Sequence, residues 1–287
     1  MSTVYLNGEY LPLDQARVSV LDRGFLFGDG VYEVIPAYGG HLLRFEEHMR
    51  RLQNSLDGIA LHNPLSREQW LQVLQALMQS NPSPDQSIYL QVSRGPAPLR
   101  DHAFPAEVTP TVFIMVNPLQ PVDRSKLETG VAAITLDDIR WRACNIKATA
   151  LLANTMLRTQ ATQAGAAEAI LIRDGYATEG AASNLFLVHD GILLTPPNGP
   201  LLLPGITRDL VMELAGVNGI ACEERAIAEA ELHAADEIWL TSSTKEILPV
   251  VKLDGKAVAN GRAGPIWCQM IDIYQQYKQQ LRDGQAQ

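Results

Sequence analysis

Four Asx-Gly pairs, Asn7-Gly8, Asp174-Gly175, Asp190-Gly191 and Asp254-Gly255, each interrupt a run of strand-forming residues. Such a pair readily adopts the positive φ angles of a tight hairpin, so each predicts two antiparallel strands joined by a short turn. Helical patterns lie between them. Phe45, Met49, Leu52 and Leu56 share one helical face, and Trp70, Val73, Leu74 and Leu77 share another. Strands are predicted over 87–93 and 109–116, bracketing a Pro-rich loop at 95–105. Further helices are predicted near 148–164, 206–217, 227–233 and 263–282. No regular strand–helix period occurs, which excludes a Rossmann repeat and a TIM barrel. The Pro-punctuated segment 118–124 is the expected linker between a smaller α/β domain (1–117) and a larger strand-rich domain (125–287).

A length of 287 residues suffices for two such domains. The net charge of −9, with no compensating basic cluster, argues against a nucleic-acid partner. No apolar run approaches the length of a membrane span, and the N-terminus reads as a strand rather than a leader. Cys144, Cys222 and Cys268 are odd in number and far apart, without metal-binding spacing. A reducing, cytoplasmic compartment and no metal are the expectations.

Chemistry concentrates at a few places. Lys147 precedes an Ala/Leu-rich run, and desolvation there would favour the free amine that a Schiff base requires. The alternative is a solvated lysine with its stem along the core. Glu179 ends a strand and opens the small-residue loop Gly180-Ala181-Ala182, where a flat ligand can approach the backbone. Thr207, in Pro204-Gly205-Ile206-Thr207-Arg208, is a candidate N-cap at a helix start suited to phosphate. The turn Thr241-Ser242-Ser243-Thr244 offers further hydroxyls. Arg51 shares a helix face with Arg44 and His48, beside the apolar stripe. Arg100-Asp101-His102 in the Pro-rich loop is suited to a carboxylate.

In chain order these segments resemble the fold-type IV pyridoxal-phosphate-dependent aminotransferases, and within them the D-amino acid branch. The likeness is carried by Asp22-Arg-Gly-Phe-Leu-Phe-Gly-Asp-Gly-Val-Tyr32-Glu, Glu47-His-Met-Arg-Arg51-Leu, the Asp138-Ile-Arg-Trp segment leading to Lys147, and Thr178-Glu179-Gly. Ser183-Asn-Leu-Phe, Gly205-Ile-Thr-Arg-Asp and Thr241-Ser-Ser-Thr complete it. The resemblance implies a two-domain α/β (α+β) fold with a pseudo-barrel C-terminal domain, acting as a homodimer. It implies that Lys147 forms the Schiff base with pyridoxal 5'-phosphate and shuttles a proton. Glu179 would hold the pyridine nitrogen. Arg51, Ile206, Thr207 and Ser243 would bind the phosphate, and Leu203 would pack behind the ring. Tyr32, with Arg100 and His102 acting across the dimer interface, would bind the substrate carboxylate. The implied reaction moves an amino group from a D-amino acid to a 2-oxo acid by a ping-pong route. Aminodeoxychorismate lyase and branched-chain L-amino acid or (R)-amine transaminase are the alternatives on the same fold. A non-catalytic pyridoxal-phosphate carrier is the reading from a different class. Ala181 and Ala182 depart from the serines expected in the D-amino acid branch, leaving this loop only backbone contacts to offer.

Overall fold

Strands β1 (Thr3–Leu6) and β2 (Glu9–Pro12) meet at Asn7-Gly8, where both residues take positive φ, 50° and 101°. This computed structural model describes residues 2–120, 122, 127 and 129–285. The other three Asx-Gly pairs likewise sit at positive φ and close hairpins. Local turn chemistry therefore fixes four registers without help from distant residues.

Contacts divide the chain into two units. The first comprises Met1–Gln120, Ile146–Leu151 and Gln280–Gln287. Its sheet is antiparallel in the order β2-β1-β6-β5-β3-β4, with β3 Gly30–Tyr38, β4 His41–Leu42, β5 Asp85–Ser93 and β6 Thr111–Pro118. Helices α1 (Arg23–Phe27), α2 (Phe45–Gly58) and α3 (Arg67–Ser80) accompany it. The predicted apolar faces form its core: Leu52, Leu56, Trp70, Leu74 and Leu77 are at most 1% exposed. Each such side chain contributes about 1.5–3 kcal/mol on burial.

The second unit comprises Pro121–Asn145 and Leu152–Gln279. Its curled sheet runs β12-β11-β10-β14-β15-β7-β8-β9-β13, with β16 beside β15. The strands are β7 (Val131–Asp137), β8 (Glu168–Arg173), β9 (Tyr176–Gly180), β10 (Asn184–His189), β11 (Ile192–Thr195), β12 (Cys222–Glu224), β13 (Ile227–Ala228), β14 (Glu237–Ser242), β15 (Glu246–Leu253) and β16 (Lys256–Ala257). Helices α4 (Leu152–Gln163), α5 (Ile206–Val217), α6 (Glu229–His233) and α7 (Pro265–Arg282, its residues from Gln280 on counted with the first unit) lie near their predicted places.

Two differences from the sequence expectation have physical causes. The helix expected from 148 starts at Leu152, because Ala148 is drawn into an antiparallel bridge with Val31 and the Thr149 N–H donates to the Gly30 carbonyl at 2.9 Å. The first unit also recruits Arg282, whose guanidinium meets Asp85 at 2.6 Å, so it is not one continuous stretch of sequence. The expected linker 118–124 includes Pro121, Asp123 and Arg124, which fall outside the described residues.

Candidate active site

In the first unit, the alternation of β3 sends Val31, Glu33, Ile35 and Ala37 to the buried face and Tyr32 to the other. A carboxylate in that apolar row needs partners. Helix α2 supplies them one turn apart. Arg51 donates Nε to Glu33 Oε1 at 2.7 Å and Nη2 to Oε2 at 2.6 Å, and His48 Nδ1 lies 2.8 Å from Oε2. Burial pushes the Glu33 carboxyl up, but Arg51 and then His48 outweigh it and hold it well below the usual carboxylate range. Burial lowers His48, against the pull of Glu33, and its Nδ1 faces the carboxylate. Its Nε2 is buried with no hydrogen-bond partner among the described residues.

Lys147 lies on segment 146–151, which bends at Ile146 and Thr149. Its carbonyl accepts the Tyr32 N–H at 3.0 Å, and its own N–H donates to Ser55 Oγ at 3.1 Å. Thr149 Oγ1 donates to the Gly28 carbonyl at 2.9 Å. The lysine is half-buried, with Nζ 4.2 Å from the centre of the Tyr32 ring. Gly58 admits this segment closely, since a Cβ there would stand 2.9 Å from Ile146 Cδ1. Arg100 and His102 are exposed on the loop after β5. The Arg100 guanidinium is 4.9 Å from the Phe27 ring centre, and the His102 ring is 5.3 Å from it.

In the second unit Glu179 is the end of a charge chain. Arg173 meets Asp138 at 3.1 Å, and Arg140 donates to Asp138 at 2.8 and 2.9 Å. Arg140 then donates to Glu179 Oε1. Glu179 Oε2 accepts the Leu203 N–H at 3.1 Å and an Asn184 amide hydrogen at 3.2 Å. Asn184 also donates to the Leu203 carbonyl at 2.8 Å, so one amide fixes both Glu179 and the Leu203 backbone. Burial raises Glu179 to about 7, against the pull of Arg140.

Helix α5 begins beside this carboxylate. Its N-cap is Gly205, in extended conformation with no side-chain cap, and not Thr207 as the sequence suggested. The cause is non-local: a Cβ at Gly205 would lie 1.8 Å from Asn184 Oδ1, so only glycine fits where the helix starts. Thr207 is left with a buried hydroxyl that has no hydrogen-bond partner among the described residues. Thr241, opposite Asn184 in the β10–β14 register, has another. Ser243 lies half-buried in the turn that follows β14. Uncapped N–H groups, a buried hydroxyl and the helix dipole form a cradle for a phosphate. Among the described residues no group of metal-ligating side chains forms.

Sequence reading assigned no role to Glu33, His48, Arg140 or Asn184. The signal for Glu33 was present: a charged residue in the apolar alternation of Val31, Ile35 and Ala37. Asn184 gave no local signal, because its partners lie at 179, 203 and 205.

Residues 30–253 match the family model Amino-transferase class IV. The chain is 41% identical over 263 residues to a D-alanine aminotransferase from Bacillus licheniformis, covering 92% of each. It is 37% identical over 279 residues to a D-alanine aminotransferase from Staphylococcus epidermidis, covering 97% of this chain and 99% of the relative. A solved branched-chain amino acid aminotransferase from Escherichia coli superposes with a TM-score of 0.91 at 29% identity, covering 100% of this chain and 96% of that one. A branched-chain aminotransferase from the thermophilic archaeon Thermoproteus uzoniensis, solved with norvaline, gives 0.88 at 29% identity, covering 99% and 97%. The residues fit the cofactor of this family: the α5 cradle with its unpartnered Thr207 hydroxyl suits a phosphate, and a fixed, buried Glu179 suits a protonated ring nitrogen. The chain belongs to the class IV aminotransferases, whose cofactor is pyridoxal phosphate.

Proposed function

We propose that this enzyme transfers the amino group of a D-amino acid, such as D-alanine, to a 2-oxo acid such as 2-oxoglutarate. The observation that carries the reading is the near-full-length identity with D-alanine aminotransferases, 41% and 37%. Pyridoxal phosphate, when bound, supplies an aldehyde that condenses with amines and a ring that draws off the electron pair left at a deprotonated carbon. Lys147 would be the amine that anchors it, and Lys147 Nζ would carry the proton from the substrate α-carbon to the cofactor carbon in one half-reaction and back the other way in the second. The half-buried side chain beside the Tyr32 ring and the backbone pinned by Tyr32 and Ser55 support that assignment. Glu179 holds the ring nitrogen protonated. The Ile206 N–H, the hydroxyls of Thr207 and Ser243, and the Arg51 guanidinium oriented by Glu33 hold the phosphate, with Leu203 behind the ring.

Tyr32 binds the substrate carboxylate together with Arg100 and His102 of the partner subunit. A homodimer is supported by exposed apolar side chains around that loop, Val20 and Phe25 at 71% and Leu99 at 76%. A cytoplasmic location is supported by three unpaired cysteines. No helix among the described residues is long and apolar enough to cross a membrane. Because the superposed solved structures are branched-chain enzymes, L-leucine is the second donor to test. Initial rates with 2-oxoglutarate and D-alanine, L-alanine, L-leucine or an (R)-arylamine decide the matter. Turnover with D-alanine well above the others supports the proposal; preference for L-leucine or the arylamine overturns it. Pyruvate release from aminodeoxychorismate with no amino acceptor would make it a lyase.

A further inference from the structure

We infer that Arg23 and Phe27 are positioning residues that set the affinity for carboxylate-bearing substrates by shaping the Arg100–His102 loop. The inference rests on the reading that this loop binds the substrate carboxylate. Arg23 is 3% exposed, yet much of its hydrogen bonding goes to the main chain of an exposed loop. Nη1 donates to the carbonyls of Asp101 at 2.6 Å and Ala103 at 3.3 Å, and Nη2 to that of His102 at 3.2 Å. Three successive carbonyls are thus gathered round one guanidinium, while the side chains of Arg100 and His102 stay exposed.

The guanidinium is itself held. Its Nε donates to Asp29 Oδ2 at 2.7 Å, and Arg94 donates to the same oxygen at 2.8 Å. Arg94 in turn reaches the Ile59 carbonyl at 2.6 Å and lies 3.6 Å from the Phe104 ring centre. Phe27 acts on the side chains rather than the backbone. Its ring centre is 4.8 Å from the Arg23 guanidinium, 4.9 Å from that of Arg100 and 5.3 Å from the His102 ring. An aromatic ring attracts a guanidinium to its face and stacks an imidazole. Arg23 thus sets the course of the loop, and Phe27 the direction of its two recognition groups. A lysine at 23 cannot serve three carbonyls and a carboxylate in one plane.

The test compares the cofactor-loaded full chain with Arg23→Lys, Phe27→Leu and Phe27→Tyr. It reads KM for D-alanine, kcat, the inhibition constant of propionate as an unreactive carboxylate, and the dissociation constant of pyridoxal phosphate. Arg23→Lys and Phe27→Leu are expected to raise KM and the propionate constant about tenfold, the value of roughly one charge-assisted contact. Their kcat is expected to change less than about twofold and their cofactor affinity not at all. Phe27→Tyr, which keeps the ring, is expected to restore wild-type values. If KM and propionate binding do not move, or if kcat and cofactor affinity fall in parallel, the inference is overturned. Arg100→Ala separates the levels. If it leaves propionate binding unchanged, the carboxylate reading of the loop fails and takes the inference with it. If it weakens propionate while Arg23→Lys and Phe27→Leu do not, only the positioning role fails.

Discussion

Lys147 and Tyr32 are joined twice, by the Tyr32 N–H donated to the Lys147 carbonyl at 3.0 Å and by the lysine ammonium 4.2 Å from the centre of the tyrosine ring. The first contact is a backbone bridge that any residue at 32 would keep. The second depends on the aromatic ring. Tyr32→Phe therefore keeps the lysine in place and raises KM for D-alanine with kcat little changed. Tyr32→Leu also forfeits the cation–π contact of the ligand-free lysine, about 0.5–2 kcal/mol of ligand-free stability. Steady-state kinetics and ligand-free denaturant unfolding of the two variants show whether the losses divide this way.

Glu33 neutralises Arg51 inside the first unit. Glu33→Ala removes the buried carboxylate that Arg51 and His48 both face, and breaking a buried pair costs about 3–5 kcal/mol. Denaturant unfolding of the ligand-free protein measures it. The pH dependence has a definite sign. A carboxyl held below its ordinary range stabilises the fold above that range and loses the contribution as the pH falls. The acid-side loss attributable to Glu33 is absent from Glu33→Ala.

Glu179 titrates the opposite way. Burial raises it to about 7, so without a ligand the folded state holds a proton that the unfolded chain has released. Its contribution is complete below about pH 4.5 and fades as the pH rises through about 7, a change on the order of 3 kcal/mol. Melting curves of ligand-free wild type and Glu179→Gln between pH 5 and 8 should converge at the acid end and diverge at the alkaline end.

Gly205 tests the coupling between the phosphate cradle and Glu179. An alanine Cβ would stand 1.8 Å from Asn184 Oδ1, forcing the amide that fixes Glu179 and Leu203 to move. Gly205→Ala is expected to cost about 1–3 kcal/mol of stability, as overpacking does. It should also weaken pyridoxal phosphate binding at least about tenfold. Equilibrium dialysis with the cofactor checks this independently of turnover.

Features determined by neighbours in the chain were legible in the sequence. The four hairpins follow from Asx-Gly turns, and the α2 and α3 cores from apolar residues at helical spacing. The order of motifs pointed to Lys147, Glu179 and Arg51 as a set. What escaped depends on partners far apart in sequence. The grouping of 146–151 with β3 comes from the Val31–Ala148 bridge, and the glycine N-cap of α5 from Asn184 on another strand. The motif points to Arg51 as a phosphate ligand beside an apolar stripe, but only the structure shows that Glu33 holds its guanidinium.

Lys147 as the amine that anchors the cofactor is the central claim, and chemical trapping tests it most directly. The wild-type protein is loaded with pyridoxal phosphate, reduced with borohydride, digested and analysed by peptide mass spectrometry, with Lys147→Ala in parallel. The phosphopyridoxyl group is expected on Lys147 alone and absent from the variant. A label on another lysine, or equal labelling of the variant, would contradict the account.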